Sequence, residues 1–571
     1  MDQLKINKNE QYDAFMTYLK KDTVHVEEDN PYPDFSAYTL FFEEGDRVTF
    51  EKQYFNRRKK LTRLGLLCLD DSSNKKRVRE LENSLFSICQ EFTWCLPAHI
   101  DTDREENSEQ KQYTLDLFAC ETAFTLAEIC HYLSDVLSPK LKAIVRSSIF
   151  ERVLNPYLKE EWGWEKLDNN WASVCAGSIG ITAIYMIKDQ SVLKTVLKRV
   201  EKTMACFLDG FGEDGACLEG LSYWQYGFRY FTYFSDAYKN YTKGSKNLFN
   251  KPKIKEIAKF QQVMTLTDNQ VLNYSDSPDV LEPAHDLAGY YHTLYPETII
   301  LPEKNYDITQ VIDHCGRWGP ALRTLMWSKR EKDGSDYPIE ESYWLSDAQI
   351  FVYKHKHLHF SFKGGDNNES HNHNDLGHFI LHFQGQPVFI DLGAPVYTRD
   401  YFNDNRYSIL QASSKGHSVP IINGKTQEEG ESYKARMQDR KGYERLSLDL
   451  TDAYLVESLK QYRRTFSLQP IKQELIIEEE FHFMTQENAL ELRYMLDGFP
   501  LVEEEKKRII FSKNQIQVVL QLPEGIDHYL VEAIEYVNHK GENKQAQVVR
   551  LFVEPRTHKA HYQLTVSCQK L

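Results

Sequence analysis

The stretch "GGDNNESHNHNDLGHFILHFQGQPVFIDLG", residues 364–393, decides how the second half of the chain is interpreted. After His373, apolar residues alternate with less apolar ones over residues 379–383, a pattern typical of a β-strand. His371 and His373 are two residues apart, and side chains at positions i and i+2 of a strand lie on the same face. This spacing suits a metal site, a catalytic pair or an ordinary polar strand face.

The period of two continues to the carboxyl terminus. Short alternating segments such as "KQELIIEEEFHF", "ALELRYML" and "AQVVRLFVEP" are separated by turn residues. Many short strands of this kind are typical of a large antiparallel sandwich. The change of period lies in the charged stretch "SKREKDGSDYPIEE", so we predict an antiparallel β-sandwich domain over residues 331–571.

The preceding part of the chain has a helical period. Examples are "DLFACETAFTLAEICHYLSDVL" (116–137) and "SVLKTVLKRVEKTMACFLDGF" (191–211). Consecutive helices with short polar connectors predict stacked αα-hairpins, in either a toroid or a solenoid. We therefore predict a helical domain over residues 1–330 and an α+β multidomain fold class.

The composition excludes some classes of function. With 41% hydrophobic and 27% charged residues, the 571-residue chain has the balance of a globular protein with more than one domain. The net charge of −15 argues against a nucleic-acid partner. An aromatic content of 13% suits rings that line a carbohydrate cleft, but it equally suits core filling.

The start of the sequence, "MDQLKINKNEQYDAFMTYLKKD", carries charges throughout and has no apolar core of a secretory signal. No apolar run approaches the length of a membrane span. The ten cysteines form no CxxC pair, which favours buried free thiols in a reducing compartment. We therefore expect a cytoplasmic protein without a membrane partner.

Three residues at predicted strand ends form a candidate metal site. His373, Asp391 and His417 offer two nitrogens and one oxygen, a common zinc ligand set. The alternative is that they are unrelated polar residues at strand ends. His371 is then left for acid or base chemistry near neutral pH, unless it is an ordinary polar group. "HKHLH", residues 355–359, is a competing cluster, for which the alternation predicts a solvated strand face without ligands.

Two stretches of the helical part contain further candidates. "DNNWASV" places Asn169, Asn170 and Trp171 at a predicted helix start, where asparagines are also ordinary N-caps. "EDGACLEGLSYWQYGFRYF" has a turn followed by Tyr223 and Tyr226 in a helix. An aromatic stripe with this spacing fits a cleft, but it is more often part of a core.

Together these stretches resemble the heparinase II/III family of polysaccharide lyases. The resemblance is carried by HxHxD at residues 371–375, by "GQPVFIDLG" and by a Gly-His pair before "SVPIING". "NNW" and "DGACLEGLSYW" upstream support it, and it covers most of the chain. The resemblance implies an N-terminal (α/α) toroid joined to a C-terminal antiparallel β-sandwich.

The resemblance implies β-elimination at a 4-linked uronic acid. In this family an amide or imidazole on the toroid neutralises the uronate carboxylate, and Asn170 matches that residue. A histidine and a tyrosine share the removal of the C5 proton and the protonation of the leaving O4. His371 matches the histidine and Tyr223 best matches the tyrosine, with Tyr226 and Tyr230 on the same helix as alternatives.

The resemblance also implies one structural Zn²⁺, held by His373, Asp391 and His417, which fixes the loop that presents the catalytic histidine. The sequence departs from some relatives. Trp171 stands where these have histidine, so the uronate epimer and the extent of carboxylate neutralisation stay open. Asn372 stands where many have glycine, and it still suits a strand. Predicted substrate-binding residues are His99, Trp171 and Arg406, and an exposed surface position is the alternative for Arg406 and for His99.

We therefore predict a lyase that cleaves acidic oligosaccharides into 4,5-unsaturated uronates. Glycosaminoglycan fragments are the leading substrates and alginate-type oligouronates the second. The alternatives are a glycoside hydrolase using Asp214 and Glu219, a zinc hydrolase and a catalytically silent carbohydrate-binding relative. The resemblance is compatible with a homodimer.

Overall fold

The computed structural model describes residues 5–21, 32–100, 113–267, 269–329, 340–369, 371–505 and 507–571. The chain divides into two compact units, each formed by three segments. The helical unit comprises Met1–Phe211, Tyr223–Lys259 and Glu282–Lys332, and the sheet unit comprises Gly212–Ser222, Phe260–Leu281 and Asp333–Leu571. The predicted boundary between residues 330 and 331 lies outside the described residues and stays a prediction.

The helices that the structure describes follow one another along the first part of the chain. They are α1 (Glu10–Lys21), α2 (Phe35–Glu44), α3 (Val48–Asp70), α4 (Lys75–Cys89), α5 (Leu117–Tyr132), α6 (Pro139–Ile149), α7 (Asn155–Lys159), α8 (Asn170–Met186), α9 (Gln190–Asp209), α10 (Leu221–Tyr241), α11 (Lys253–Met264), α12 (His285–Leu294) and α13 (Trp318–Trp327). Among the described residues, none of the helices has the length and apolarity needed to cross a membrane.

Helices α5 and α8 form the centre of the helical unit. Every residue of α5 from Leu117 to Cys130 is buried, and α8 is buried along nearly its whole length. Helices with apolar residues on every side lie inside a core, and the two buried glutamates of α5, Glu121 and Glu128, are paired with arginines. Gly180 allows α8 to pack closely on α10, because a Cβ there would lie 2.5 Å from the Phe234 ring. The closure of the helices into a toroid stays a prediction.

The strands belong mainly to the sheet unit. They are β1 (Thr265–Thr267), β2 (Gln270–Val271), β3 (Glu340–Leu345), β4 (Ile350–His355), β5 (Leu358–Lys363), β6 (Gly365–Asn367), β7 (Phe379–Phe383), β8 (Gln386–Phe389), β9 (Ile421–Ile422), β10 (Gly430–Lys441), β11 (Arg445–Asp449), β12 (Leu459–Gln469), β13 (Glu474–Phe483), β14 (Leu490–Asp497), β15 (Leu501–Glu505), β16 (Arg508–Lys513), β17 (Ile516–Gln521), β18 (His528–Val537), β19 (Asn543–Val553) and β20 (Lys559–Lys570).

Two large antiparallel sheets share one core. In the described part of the unit, one sheet has the order β15-β16-β17-β20-β13-β12-β11-β10-β6. The other has the order β18-β19-β14-β8-β7-β5-β4-β3, with β9 paired to β14. Phe360 and Phe379 of the second sheet pack on Phe466 of the first, with ring centroids 5.2 and 5.5 Å apart. The predicted fold class, helices followed by an antiparallel β-sandwich, is confirmed.

One loop of the sheet unit comes from between the helices, immediately after β2. Its residues 272–277 lie on the second sheet, where the hydroxyl groups of Tyr274 and Ser361 are 3.1 Å apart. The side-chain amide of Asn273 donates to the backbone oxygen of Asp391 at 3.1 Å. These contacts bring Asp276, which no motif of the sequence had indicated, next to the HxHxD stretch.

Candidate active site and metal centre

His373, Asp391 and His417 converge in the sheet unit. His373 lies in the loop between β6 and β7, Asp391 follows β8, and His417 follows a short 3-10 turn before β9. One ligand atom from each residue lies within 4.8 Å of the other two. All three residues are buried: His373 and His417 are 0% exposed and Asp391 is 4% exposed.

The atoms that face one another lack hydrogen-bond partners among the described residues. They are Nδ1 of His373, Oδ2 of Asp391 and Nδ1 of His417. Because the Gln411 carbonyl can only accept, Nε2 of His417 donates to it at 2.8 Å, and Nδ1 is the nitrogen left to bind a metal. Buried polar atoms are nearly always paired, so three such atoms in one place indicate a missing partner. Two imidazole nitrogens and a carboxylate oxygen fit Zn²⁺.

The charges of this cluster suit a cation. Burial alone would raise the pKa of Asp391, but the neighbouring imidazoles of His417 and His378 outweigh it and hold that pKa below its ordinary value. His378 accepts a hydrogen bond from the Ser418 backbone N–H at 2.9 Å, and burial lowers its pKa to about 3. Burial lowers the pKa of the ligand His417, but the Asp391 carboxylate outweighs it and raises that pKa, so a metal ion bound here would displace the proton of His417.

His371 lies beside this cluster and reaches the surface. Its side chain is 20% exposed, and its Nδ1 lies 2.6 Å from Oδ2 of Asp276. Its backbone has φ +59°, a left-handed conformation that is uncommon for residues other than glycine. An ionised carboxylate can only accept, so Nδ1 donates, and Nε2 is the nitrogen that can give or take a proton.

Asp276 is the functional residue that sequence reasoning missed. It is buried, and both of its oxygens accept hydrogen bonds: Oδ2 from His371 and from Tyr397 (2.8 Å), and Oδ1 from Tyr401 (2.5 Å) and from His373 (3.3 Å). Burial raises the pKa of Asp276, but the hydrogen bonds from the two histidines outweigh it and keep that pKa well below its ordinary range. The only local signal is its place in "NYSDSPD" after a short strand.

Arg406, a predicted substrate contact, holds the loop between the two histidines. Its Nη2 donates to the Asn372 carbonyl at 2.9 Å and to the Tyr401 hydroxyl at 2.7 Å. The guanidinium also lies 4.1 Å from the centre of the Tyr401 ring. Phe402 also lies beside His371: it is 55% exposed, and the centroids of the two rings are 6.4 Å apart.

In the helical unit, three predicted residues meet at the start of α8. Asn169 is the N-cap and accepts from the Trp171 backbone N–H at 3.1 Å, so Asn170 is the first helical residue. Asn170 is 6% exposed, and the His99 ring packs edge-on against Trp171 with centroids 4.9 Å apart. Helix α10 approaches at Gly227, where an added Cβ would lie 3.3 Å from Asn170 Cα. The structure thus brings these residues next to the helix that carries the candidate tyrosines.

The three tyrosines of α10 differ in their surroundings. Tyr230 is 1% exposed, and burial raises its pKa well above the ordinary value. The Tyr226 hydroxyl donates a hydrogen bond to the Glu121 carboxylate. Burial and, second, this carboxylate raise the pKa of Tyr226 well above the ordinary value, despite the nearby Arg317. Tyr223 is half-buried. Tyr226 is half-buried as well, so access favours these two tyrosines over Tyr230.

The rival sites fit less well. The Asp214 carboxylate accepts from the backbone N–H groups of Asp347 (2.7 Å), Ala348 (3.1 Å) and Ala216 (3.0 Å), which is the environment of a structural turn. A zinc hydrolase needs a metal that water and substrate can reach, whereas the three candidate ligands are buried.

The predicted solvated face of "HKHLH" is wrong. His355 ends β4 and His359 belongs to β5, so a hairpin turn separates them, and His359 is only 8% exposed. The alternation of histidines across the turn did not reflect a single strand.

Comparison with known proteins finds a known domain in the sheet unit. Residues 340–564 match the family described as heparinase II/III-like, C-terminal. These residues therefore form a heparinase II/III-like C-terminal domain. The predicted resemblance to this family and the predicted lyase class are confirmed. No curated protein matches this heparinase II/III-like chain in sequence.

Solved structures share the fold of the heparinase II/III-like chain. Heparan sulfate lyase HepC from Pedobacter heparinus matches with a TM-score of 0.61 and 13% identity, over 98% of this chain and 87% of HepC. A heparinase III matches with a TM-score of 0.68 and 12% identity, over 100% of this chain and 86% of that one. The chondroitin AC lyase of Streptomyces coelicolor A3, solved with chondroitin sulphate, matches with a TM-score of 0.55 and 9% identity, over 98% and 80% of the two chains.

Proposed function

We propose that this heparinase II/III-like lyase cleaves 4-linked uronic-acid glycosides in glycosaminoglycan fragments by β-elimination, which leaves a 4,5-unsaturated uronate. The observation that carries the proposal is His371, a surface-reaching imidazole whose Nδ1 is held 2.6 Å from a buried carboxylate. That arrangement presents Nε2 in a fixed direction for proton transfer. A positioned general acid or base typically contributes a factor of about 10²–10⁴ in rate.

The elimination also needs the uronate carboxylate to be neutralised, because the C5 proton is otherwise only weakly acidic. We assign this task to the Asn170 amide, which lies at the start of α8. A helix start adds backbone N–H groups and the positive end of the helix dipole. A preorganised donor to developing negative charge is typically worth about 3 kcal/mol.

The second proton transfer is assigned to Tyr223. Tyr223 is half-buried, whereas Tyr230 is only 1% exposed. Tyr226 is the competing residue, because it lies one turn further along α10, but its hydroxyl is hydrogen-bonded to Glu121. We expect Tyr223→Phe to lower kcat about 10²-fold or more, and Tyr226→Phe to have the smaller effect. Steady-state rates of the two variants decide between these residues, and the reverse order would assign the role to Tyr226.

A structural Zn²⁺ would be held by His373, Asp391 and His417, whose orphaned atoms supply the donor set. Bound there, the metal would crosslink the loop that carries His371 to the strand ends that carry the other ligands. The burial of all three residues supports this structural role over the activation of water.

The substrate class rests on the lyases that share the fold, which act on heparan sulfate and chondroitin. Alginate-type oligouronates stay the second class to test. The cytoplasmic location, the substrate contacts of His99, Trp171 and Arg406, and a homodimer stay predictions.

The test is to incubate the purified protein with heparan, chondroitin, hyaluronan and alginate oligosaccharides and to follow the near-ultraviolet absorbance of the products. We expect a rise with a glycosaminoglycan fragment, since the conjugated unsaturated uronate absorbs there. Depolymerisation seen by chromatography without any rise in absorbance would contradict the proposal.

A further inference from the structure

The carboxylate of Asp276 lies at the centre of the polar network around the HxHxD stretch. Among the described residues, each of its oxygens accepts from one histidine and one tyrosine. The two histidines are His371, assigned to proton transfer, and His373, assigned to the metal. One buried carboxylate therefore contacts two imidazoles with different tasks.

The nitrogens that face Asp276 define the orientation of both rings. Nδ1 of His371 lies 2.6 Å from Asp276 Oδ2, and Nε2 of His373 lies 3.3 Å from Oδ1. The other nitrogen of His373, Nδ1, is the orphaned atom of the ligand cluster. A metal-binding imidazole commonly donates its second N–H to a carboxylate, which fixes the tautomer and makes the ligand more basic.

Asp276 is itself held in place. Its loop is tied to the end of β8 by the hydrogen bond from Asn273 to the Asp391 backbone oxygen at 3.1 Å. Ser275, at φ +58°, donates its hydroxyl proton to the Leu218 carbonyl at 3.0 Å. The position of the Asp276 carboxylate is therefore set by its own loop and not by the two histidines.

We infer that Asp276 is a positioning residue with two tasks: it orients His371 for proton transfer, and it orients His373 as a metal ligand. The first task rests on the proposed function, whereas the second does not. Removal of this carboxylate should therefore weaken catalysis and metal binding together, although Asp276 lies about 95 positions before His371 in the chain.

The first experiment uses Asp276→Asn, which keeps the shape and one acceptor oxygen but loses the charge. Loss of a carboxylate behind a metal-bound histidine typically costs about 10–100-fold in metal affinity or activity. We expect the affinity for Zn²⁺, measured by competition with a chromogenic chelator, to fall by about 10–100-fold. We expect kcat to fall by a similar factor while KM stays within about twofold, because substrate contacts are unchanged.

A second pair of variants separates positioning from general destabilisation. Tyr401→Phe removes one donor from Asp276 and keeps the carboxylate, so it should lower kcat and zinc affinity in the same direction but less. Tyr462→Phe is the matched control, because Tyr462 is also fully buried and donates to another buried carboxylate of the sheet unit, Glu479, at 2.8 Å. It should lower the melting temperature and leave kcat and zinc affinity unchanged.

The outcomes separate the two proposals. An Asp276→Asn protein with wild-type zinc affinity and kcat overturns the inference, as does a Tyr462→Phe protein that loses both to the same extent as Tyr401→Phe. If Asp276→Asn does not fold, Tyr401→Phe against Tyr462→Phe decides. If the wild-type chain eliminates no uronate, the proposed function fails with the first task, and the zinc titration still decides the second.

Discussion

Two groups of histidines lie on the same β-sandwich, and they differ in one respect. His371, His373 and His417 each lie within 3.3 Å of a buried carboxylate, supplied by Asp276 or Asp391. His359 and His382 are cross-strand partners on β5 and β7, and no ion pair to a carboxylate is found for them among the described residues. Burial lowers the pKa of His359 to about 4 and that of His382 to about 3.

The difference shows that spacing alone does not identify a histidine site. "HKHLH" and "HNHND" both contain histidines two residues apart. In the described part of the chain, only the histidines of the second stretch contact a carboxylate, and it comes from a distant part of the chain. A carboxylate fixes which nitrogen of an imidazole is protonated and where the other one points. His371, His373 and His417 are therefore suited to proton transfer or metal binding, whereas His359 and His382 are buried in their neutral form.

The largest effect should come from His371. His371→Asn keeps a residue that tolerates the left-handed backbone and removes the proton-transfer group. We expect kcat for uronate elimination to fall by about 10²–10⁴-fold, measured by near-ultraviolet absorbance. The control is His382→Asn, a substitution of the same kind in the other group, which should retain wild-type kcat. Equal losses in the two variants would remove the distinction between the groups.

Zinc should affect the first group alone. Zn²⁺ at about 100 times its dissociation constant should raise the free energy of unfolding by about 2.7 kcal/mol, because only the folded chain assembles the three ligands. Calorimetric melting with and without zinc measures this shift. Asp391→Asn should abolish it, and His382→Asn should keep it. A wild-type melting temperature that does not respond to zinc contradicts the assigned ligand set.

Low pH should lower the stability that depends on the second group, His359 and His382, and this effect should be smaller than that of zinc. The folded-state pKa values of His359 and His382, about 4 and about 3, lie below the ordinary value of 6.5, so the unfolded chain takes up protons first. Their contribution to stability is complete above pH about 6.5 and is lost as the pH falls toward 4.

Denaturant unfolding at pH 7.5 and pH 5 measures this effect. The wild-type protein should lose about 1–2 kcal/mol more than His382→Asn over that interval, since each pKa unit is worth about 1.4 kcal/mol. The same loss in both proteins would show that His382 is not buried in its neutral form.

The sequence predicts those features of the structure that depend on residues close together in the chain. The β-sandwich follows from the period of two, and the three ligand candidates follow from polar residues at strand ends, which the structure brings within 4.8 Å. Asp276 could not be found this way, because its contact with His371 spans 95 positions and depends on a loop between helices. The burial of His359 depends on a hairpin turn that interrupts the histidine alternation.

The choice among the tyrosines shows the same limit on the helical side. Tyr223, Tyr226 and Tyr230 lie three and four residues apart, so a helical pattern places them on one face and ranks them equally. Their packing separates them, because Tyr230 is fully buried and the Tyr226 hydroxyl donates a hydrogen bond to Glu121. Such differences depend on neighbouring helices and are not encoded in spacing.

The central claim, elimination at a uronate by a histidine held on a carboxylate, is tested most directly by the mass of the product. Glycosaminoglycan oligosaccharides would be digested in water enriched in heavy oxygen and analysed by mass spectrometry. We predict an unsaturated chain end that is lighter than the hydrolysis product by one water and carries no isotope. This product should no longer form when His371 is replaced by asparagine. A saturated, isotope-labelled chain end would contradict the account.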